Sequence, residues 1–401
     1  MTKQIFHLVL LVSCAHAMVH VYELSLPSVE QPIASEFHTD DPAAGKAMTG
    51  RLSNAWRLMW GLGAVIAGLL VDRLGARGML AVYLLGCAAS CGLAAMASST
   101  SSLMTAMLLM GAFASIYHPA GLALISHSTG RAQLPKALGI HGIFGSVGVS
   151  AAPLLAGVLL VIGATWRDIY WVLVIPGILL GTVFLRKAIA SNSTRRPDAA
   201  VMPVEPETES PEWVSFLTLT VLAAVQGFIY SALLSFLPRY LSVVSLSNTD
   251  WDPASTGNFL AAAVLFVGCL GQSLAGRFAR VNMLECQLTW ITLANIAPLL
   301  WMAVATGWER TLAAALFVLV HFMHQPIYNS LVAQYTPMKR RSVCYGFSFA
   351  VGMGVGSLGA SFAGANQSNL YVYGMLAAAA AAGACVVGFL WWTHRSVDRL
   401  V

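Results

Sequence analysis

Five residues near the start of the chain have the types and spacing for chemistry: His16, His20, Glu23, Pro27 and Glu30 follow at steps of four, three, four and three. In a helix that spacing puts them on one face. Imidazole can relay protons, hydrogen-bond an anion or bind a metal. A carboxylate withdrawn from water holds its proton more readily. The stripe therefore suits two chemistries. For proton coupling, Arg57 is the expected partner of Glu23, because the two lie at about the same depth counted back from the loop between them. A carboxylate that exchanges an arginine for a proton is a coupling switch, whereas a fixed Glu23–Arg57 pair only orients two helices. His20 joins them as a coupling candidate. For metal binding, His16, His20 and Glu23 are three candidate ligands on one face, with His118, His141, His321 and His324 able to complete a shell, and imidazole with carboxylate suits Fe, Zn, Ni or Co. Glu30, nearer the helix end, is expected in a wet vestibule.

These residues need elements to hold them. Of 401 residues, 57% are hydrophobic and 10% charged, with a mean hydropathy of +0.72. A soluble domain needs more charge to cover its surface. A helix crosses a bilayer with about 20 apolar residues, and the apolar runs fall at 5–34, 47–71, 78–98, 102–127, 136–162, 168–186, 214–242, 254–277, 283–306, 309–335, 341–365 and 369–394. They are long and do not alternate, so strands are not expected. The reading is an all-α membrane protein of twelve transmembrane helices.

Charge orients the spans. With both termini cytoplasmic, cytoplasmic segments hold Lys3, Arg73, Arg77, Arg131, Lys136, Arg186, Lys187, Arg195, Arg196, Arg277, Arg280, Lys339, Arg340, Arg341, Arg395 and Arg399, sixteen of the 22 basic residues. Lys46, Arg51, Arg57, Arg167, Arg239 and Arg310 fall toward the outside. Basic residues resist translocation, so the bias supports an even helix count. The net charge of +5 follows from the same bias, and no nucleic-acid partner is implied. Leu11-Val12-Ser13-Cys14 looks like a lipoprotein cleavage box and Ala15-His16-Ala17 like a signal-peptidase site. Cleavage there would break the symmetry between the halves, so this segment is read as the first span. The seven cysteines lie in apolar segments without a Cys-x-x-Cys pair and read as packing thiols.

The stretch 187–213 is polar and contains Pro203, Glu205, Pro206, Glu207 and Glu209, as a linker does. It separates a six-helix bundle at 1–186 from a second at 214–401. A constant shift of 207 pairs Pro119, Leu124, Thr129, Gly139, Gly145, Ser150 and Gly157 with Pro326, Leu331, Thr336, Gly346, Gly352, Ser357 and Gly364. Parallel repeats place a substrate site between the halves near the bilayer midplane. The same alignment sets Tyr117 against His324 and His118 against Gln325. Spans 4 and 10 thus offer polar groups at equivalent depth. Candidate substrate-binding residues are His16, His20, Glu23, His118, His141, Gln226, Tyr230, His324, Gln325 and Asn329; His127 is expected in solvent. The glycines of spans 5 and 11 read as packing surfaces.

Between spans 2 and 3 the chain reads Gly68-Leu-Leu-Val-Asp72-Arg73-Leu-Gly75-Ala-Arg77. This resembles the signature loop of the major facilitator superfamily, Gly-x-x-x-Asp-Arg-x-Gly-x-Arg. The resemblance implies two pseudo-symmetric six-helix bundles and a cytoplasmic gate in which Asp72 caps a neighbouring helix and Arg73 and Arg77 make ion pairs, with Gly68 and Gly75 shaping the loop. The second-half counterpart, Gly271 to Arg280, has lost the acid, which implies a lopsided gate. Tyr117-His118-Pro119 and Gly145-Ser-Val-Gly148-Val-Ser-Ala-Ala-Pro153 are similar to stretches of the fosmidomycin-resistance branch, whose His-x-x-x-Asp in span 1 is here His16-x-x-x-His20.

The expected function is a proton-coupled secondary transporter moving a small polar organic solute across the bacterial inner membrane, in the direction of export. The alternative is transport of a transition-metal ion or chelate by the intramembrane histidines. No nucleotide loop and no catalytic triad pattern stands out, so neither an enzyme nor ATP drive is expected. No cofactor is implied; the expected partners are the substrate, protons and lipid, with the chain a monomer.

Overall fold

The structure is a computed structural model describing residues 2–129, 133–192, 212–246, 249–337 and 340–398. Arg131, Arg195, Arg196, Lys339 and Arg399 lie outside the described residues, as do positions 193–211 of the expected linker with its prolines and glutamates. The sixth helix continues to Asn192.

No strand occurs among the described residues, and twelve helices are long and apolar enough to cross a membrane. Spans 1 to 6 are Lys3–Ser28, Pro42–Leu74, Ala76–Ala95, Thr100–Ser128, Lys136–Val161 and Trp166–Ala190. Spans 7 to 12 are Trp213–Leu241, Pro253–Phe278, Val281–Val304, Glu309–Tyr335, Val343–Ala365 and Asn369–His394. An even number of crossings returns the chain to its starting side, here called the terminal face. Side chains such as Ile175, Leu179, Leu217, Val221 and Leu312 stay exposed on the outside of the helices, as a lipid-facing surface requires.

Local signals explain where helices begin and bend. Asp41 and Asp252 cap spans 2 and 8 through their carboxylates, each followed by a proline at the first helical position. Span 4 is broken at Ser115–Ile116 into Thr100–Ala114 and Tyr117–Ser128, because Pro119 has no N–H to give the Ser115 carbonyl. Span 11 carries a π-helical turn at Ala350–Val355, where Gly352 and Gly354 fall.

Span 1 departs from expectation. A single helix over 5–34 is not formed: span 1 stops at Ser28 and a short helix, Glu30–Phe37, follows. Pro32 cannot donate to the Ser28 carbonyl one turn back, and Asn258 of span 8 donates to that carbonyl instead, at 2.7 Å. Glu30 therefore leaves the stripe of the other four residues.

The repeat is visible in geometry. Thr129 and Thr336 end spans 4 and 10 in nearly the same extended conformation, with φ of −119° and −118°. Both are buried, as are Leu124 and Leu331. The halves meet through spans 1 with 7, 2 with 11 and 5 with 8. Away from the terminal face this contact is tight: a Cβ on Gly50 would stand 2.7 Å from the Ala360 carbonyl oxygen, and Gly61 lies against the Gly354 backbone. Near the terminal face, the repeat partners Gly139 and Gly346 have only open space where a Cβ would stand.

Candidate functional site

Span 1 brings its stripe to the place where spans 2, 4, 5 and 7 converge. Glu23 is fully buried there. One carboxylate oxygen lies 2.9 Å from Nδ1 of His20, and the other accepts from Nε of Arg57 at 3.4 Å. Arg57 is itself 1% exposed and donates through Nη1 to the Ser235 hydroxyl of span 7 at 2.9 Å. The Tyr230 hydroxyl, also from span 7, is directed at Glu23. Through Arg57 and Ser235 the carboxylate is thus linked to the second half of the molecule. The coupling candidates Glu23, Arg57 and His20 form one cluster.

Three further histidines gather on the other side of His20. Nδ1 of His16 donates to the His141 carbonyl oxygen at 2.9 Å, and the two rings stack with centroids 4.1 Å apart. His118 sits 5.6 Å from His16 and 6.1 Å from His20 between ring centroids. A ring nitrogen from each of His16, His20 and His118 lies within 4.8 Å of the others. Tyr117 lies over His16 at 5.2 Å and anchors its hydroxyl on the Val12 carbonyl. Trp60 and, from span 11, Phe349 close over His118 at 5.7 and 5.1 Å. Gly145 makes the stack possible, since any Cβ there would enter the His16 ring.

Among the expected metal candidates, the arrangement brings His118 rather than Glu23 together with His16 and His20. The three convergent groups are His16, His20 and His118, because the break before Pro119 swings His118 toward span 1. Glu23 stands behind His20 as its hydrogen-bond partner.

Glu30 is corrected as well. It is 1% exposed rather than in a wet vestibule. Arg239 of span 7 grips both its oxygens at 2.6 and 3.0 Å, and Thr49 donates to it at 2.7 Å. Beside it, Lys46 donates to the Asn366 carbonyl at 2.5 Å. Charged groups thus join the halves at the face opposite the termini.

The second-half candidates are dispersed. His324 is buried, stacked on Tyr328 at 5.3 Å, and its Nε2 has no partner. Gln226 is buried with both amide atoms unpartnered. Tyr230 lies 6.2 Å from His321. Gln325 and Asn329 are exposed; Gln325 accepts from Gln272, which accepts in turn from Ser146 of the first half. His127 is exposed, as expected.

In the signature loop, Gly75 has φ +87°, which only glycine adopts readily. Gly68 is half-buried with Pro119 as its nearest neighbour, Asp72 and Arg73 are exposed and Arg77 is half-buried. None of the three charged side chains has a hydrogen-bond or ion-pair partner among the described residues.

Sequence reasoning did not single out Tyr117, Trp60, Phe349 or Ser235 as site residues. Only Tyr117 carried a signal, through its place beside His118.

Comparison with known proteins places this geometry. Residues 10–361 match the family model described as Major Facilitator Superfamily. Comparison with curated proteins finds no match. Among solved structures, the chain is similar to a bacterial homolog of the human lysosomal transporter Spinster in an inward-facing, unoccupied conformation, with TM-score 0.70, 16% identity and coverage of 97% of this chain and 95% of that one. It is similar to a D-xylose–proton symporter, with TM-score 0.74, 12% identity and coverage of 96% and 97%. It is also similar to a nucleoside transporter, with TM-score 0.72, 12% identity and coverage of 95% and 98%. At these identities the likeness is one of fold. Together with the family model and the twelve spans, it makes this chain a member of the major facilitator superfamily, a multi-pass membrane protein whose relatives are transporters.

Proposed function

We propose that the chain is a proton-coupled secondary transporter that exports a small polar solute across the bacterial inner membrane by alternating access. The observation that carries this reading is Glu23, buried between His20 and Arg57, with Arg57 reaching on to Ser235 of the other half. A proton on Glu23 removes the charge that holds Arg57, which then keeps only its bond to Ser235. Protonation and the grip between the halves are thereby linked. Nη2 of Arg57, Nε1 of Trp60 and the Gln226 amide are buried without partners, so they are free to hydrogen-bond a polar solute. A buried polar atom left unpaired is costly, and a bound solute relieves that cost.

The rest of the reading follows from the fold. The units 1–186 and 214–401 rock about the site, with 187–213 as a cytoplasmic linker and both termini cytoplasmic, as the distribution of basic residues favours. Asp72, Arg73 and Arg77 form the cytoplasmic gate, which closes when the terminal face does. The motifs around Tyr117 and Gly145 favour the fosmidomycin-resistance branch, and the chain works as a monomer.

The test is pH-gradient-driven flux in proteoliposomes with Glu23→Gln. The variant is expected to express and fold while losing all dependence of flux on the gradient. Unaltered gradient-driven flux would reduce Glu23–Arg57 to a fixed structural pair.

A further inference from the structure

We propose that His16, His20 and His118 bind one divalent transition-metal cation, of the class of Zn²⁺, Co²⁺ or Ni²⁺, and that this cation is the cargo. The proposal rests on the reading of span 1 as a wall of the transport path and names the solute that the path carries.

Three observations support it. First, three ring nitrogens from two spans lie within 4.8 Å of one another. Around a tetrahedral ion with metal–nitrogen bonds of about 2.0–2.1 Å, ligand atoms stand roughly 3.4 Å apart, so small ring rotations close the site. Second, the rings are already oriented. A carbonyl oxygen only accepts, so His16 must carry its proton on Nδ1, where it bonds the His141 carbonyl. His20 directs Nδ1 to the Glu23 carboxylate. In both rings Nε2 is left to take a cation, and metal-bound histidines characteristically use their other nitrogen this way. Third, the side chain of His20 keeps 15% of its surface exposed, so a cation has an approach to the cluster from the His20 side.

The donor set selects the ion. Three neutral imidazoles suit Zn²⁺, Co²⁺ and Ni²⁺, whereas Ca²⁺ and Mg²⁺ prefer oxygen ligands. Cys14 on the same span lies outside the cluster, so a thiolate-seeking Cu⁺ is disfavoured. Glu23 orients the site: as hydrogen-bond partner of His20 Nδ1 at 2.9 Å, it holds that ring with Nε2 toward the cluster.

The experiment uses full-length protein stripped with a chelator and then titrated. Co²⁺ is followed by visible absorption, and bound Zn²⁺ by elemental analysis after equilibrium dialysis. One equivalent per chain is expected. His16→Ala and His118→Ala are each expected to weaken binding by more than about 100-fold, and Glu23→Gln by about 10- to 100-fold. Exposed His127→Ala should bind normally, and His118→Gln keeps a polar side chain should His118→Ala fail to fold. No bound metal, or equal binding by the His16→Ala/His118→Ala double variant, would overturn the site. Metal that binds but does not cross proteoliposomes under a pH gradient would overturn its role as cargo. Glu23-dependent flux of an organic solute in the presence of chelator would also refute the cargo, while leaving proton coupling intact.

Discussion

The two halves share a framework and differ in what they place on it. Span 5 packs on span 1 and span 11 on span 7, and the shift of 207 that relates Gly145 to Gly352 also relates His16 to Ala223 and Glu23 to Tyr230. Gly145 faces the His16 ring; Gly352 faces the Ala223 methyl, where a Cβ would stand at 3.4 Å. The glycine, the helix contact and the threonine-ended span before it are common to both. The first half loads this shared geometry with imidazole and carboxylate, while the second supplies hydroxyls and amides. At the level of Glu23 the asymmetry leaves the ionic chemistry to the first bundle and lets the second answer to it through Ser235.

The comparison is broken most forcefully at Arg57. Arg57→Ala leaves Glu23 without its buried cation, and loss of one partner of a buried pair costs about 3–5 kcal/mol, visible as a fall in thermal stability. The pH profile of flux should also move to higher pH, since the cation that favours the ionised carboxylate is gone; an unmoved profile would mean that the pair does not couple. The matched variants Gly145→Ala and Gly352→Ala sharpen the contrast. The first must displace the His16 ring and is expected to lower flux by about 10-fold, as loss of an orienting contact does. The second meets an ordinary contact and should stay near wild type. Equal effects would mean that the halves share the chemistry evenly.

Asp72→Asn probes the loop whose acid the second half lacks. It is expected to slow turnover several-fold while leaving substrate affinity within about 2-fold, as a gate rather than a binding residue would. A loss confined to affinity would remove the gating role. The smallest effect belongs to Glu36, which accepts from Trp166 and Arg167 at 2.6 to 2.7 Å. The Arg167 guanidinium holds its carboxyl below the usual range. Its contribution is therefore present above the unfolded-state pKa and is lost as pH falls through the lower folded one. The pair is a third or more exposed, so Glu36→Gln should cost about 0.2–1 kcal/mol near neutral pH. The difference between the two proteins should vanish on acidification.

What could be read in advance was local. Apolar run length gave all twelve spans, and helical periodicity put His16, His20 and Glu23 on one face. Counting depth paired Glu23 with Arg57. What stayed hidden depends on contacts between distant segments. The stop at Ser28 is visible as a proline at position 32 only once Asn258 is known to take the freed carbonyl. His118 joins His16 because span 4 breaks and Gly145 lets span 1 approach, and neither event has a periodic signature. Glu30 looked peripheral because its partner, Arg239, is two hundred residues away on the other bundle.

That last pair shapes how the molecule opens at the face away from its termini. Glu30 and Thr49 belong to one bundle and Arg239 to the other, so separating the bundles there parts two ions that hold each other in place of solvent. The two ions are unequally hydrated: the Arg239 side chain is 29% exposed while Glu30 is sealed at 1%, so parting them means bringing water to the carboxylate. Any separation of the bundles at this face would therefore be limited by wetting on the carboxylate side, between Thr49 and the short helix that carries Glu30.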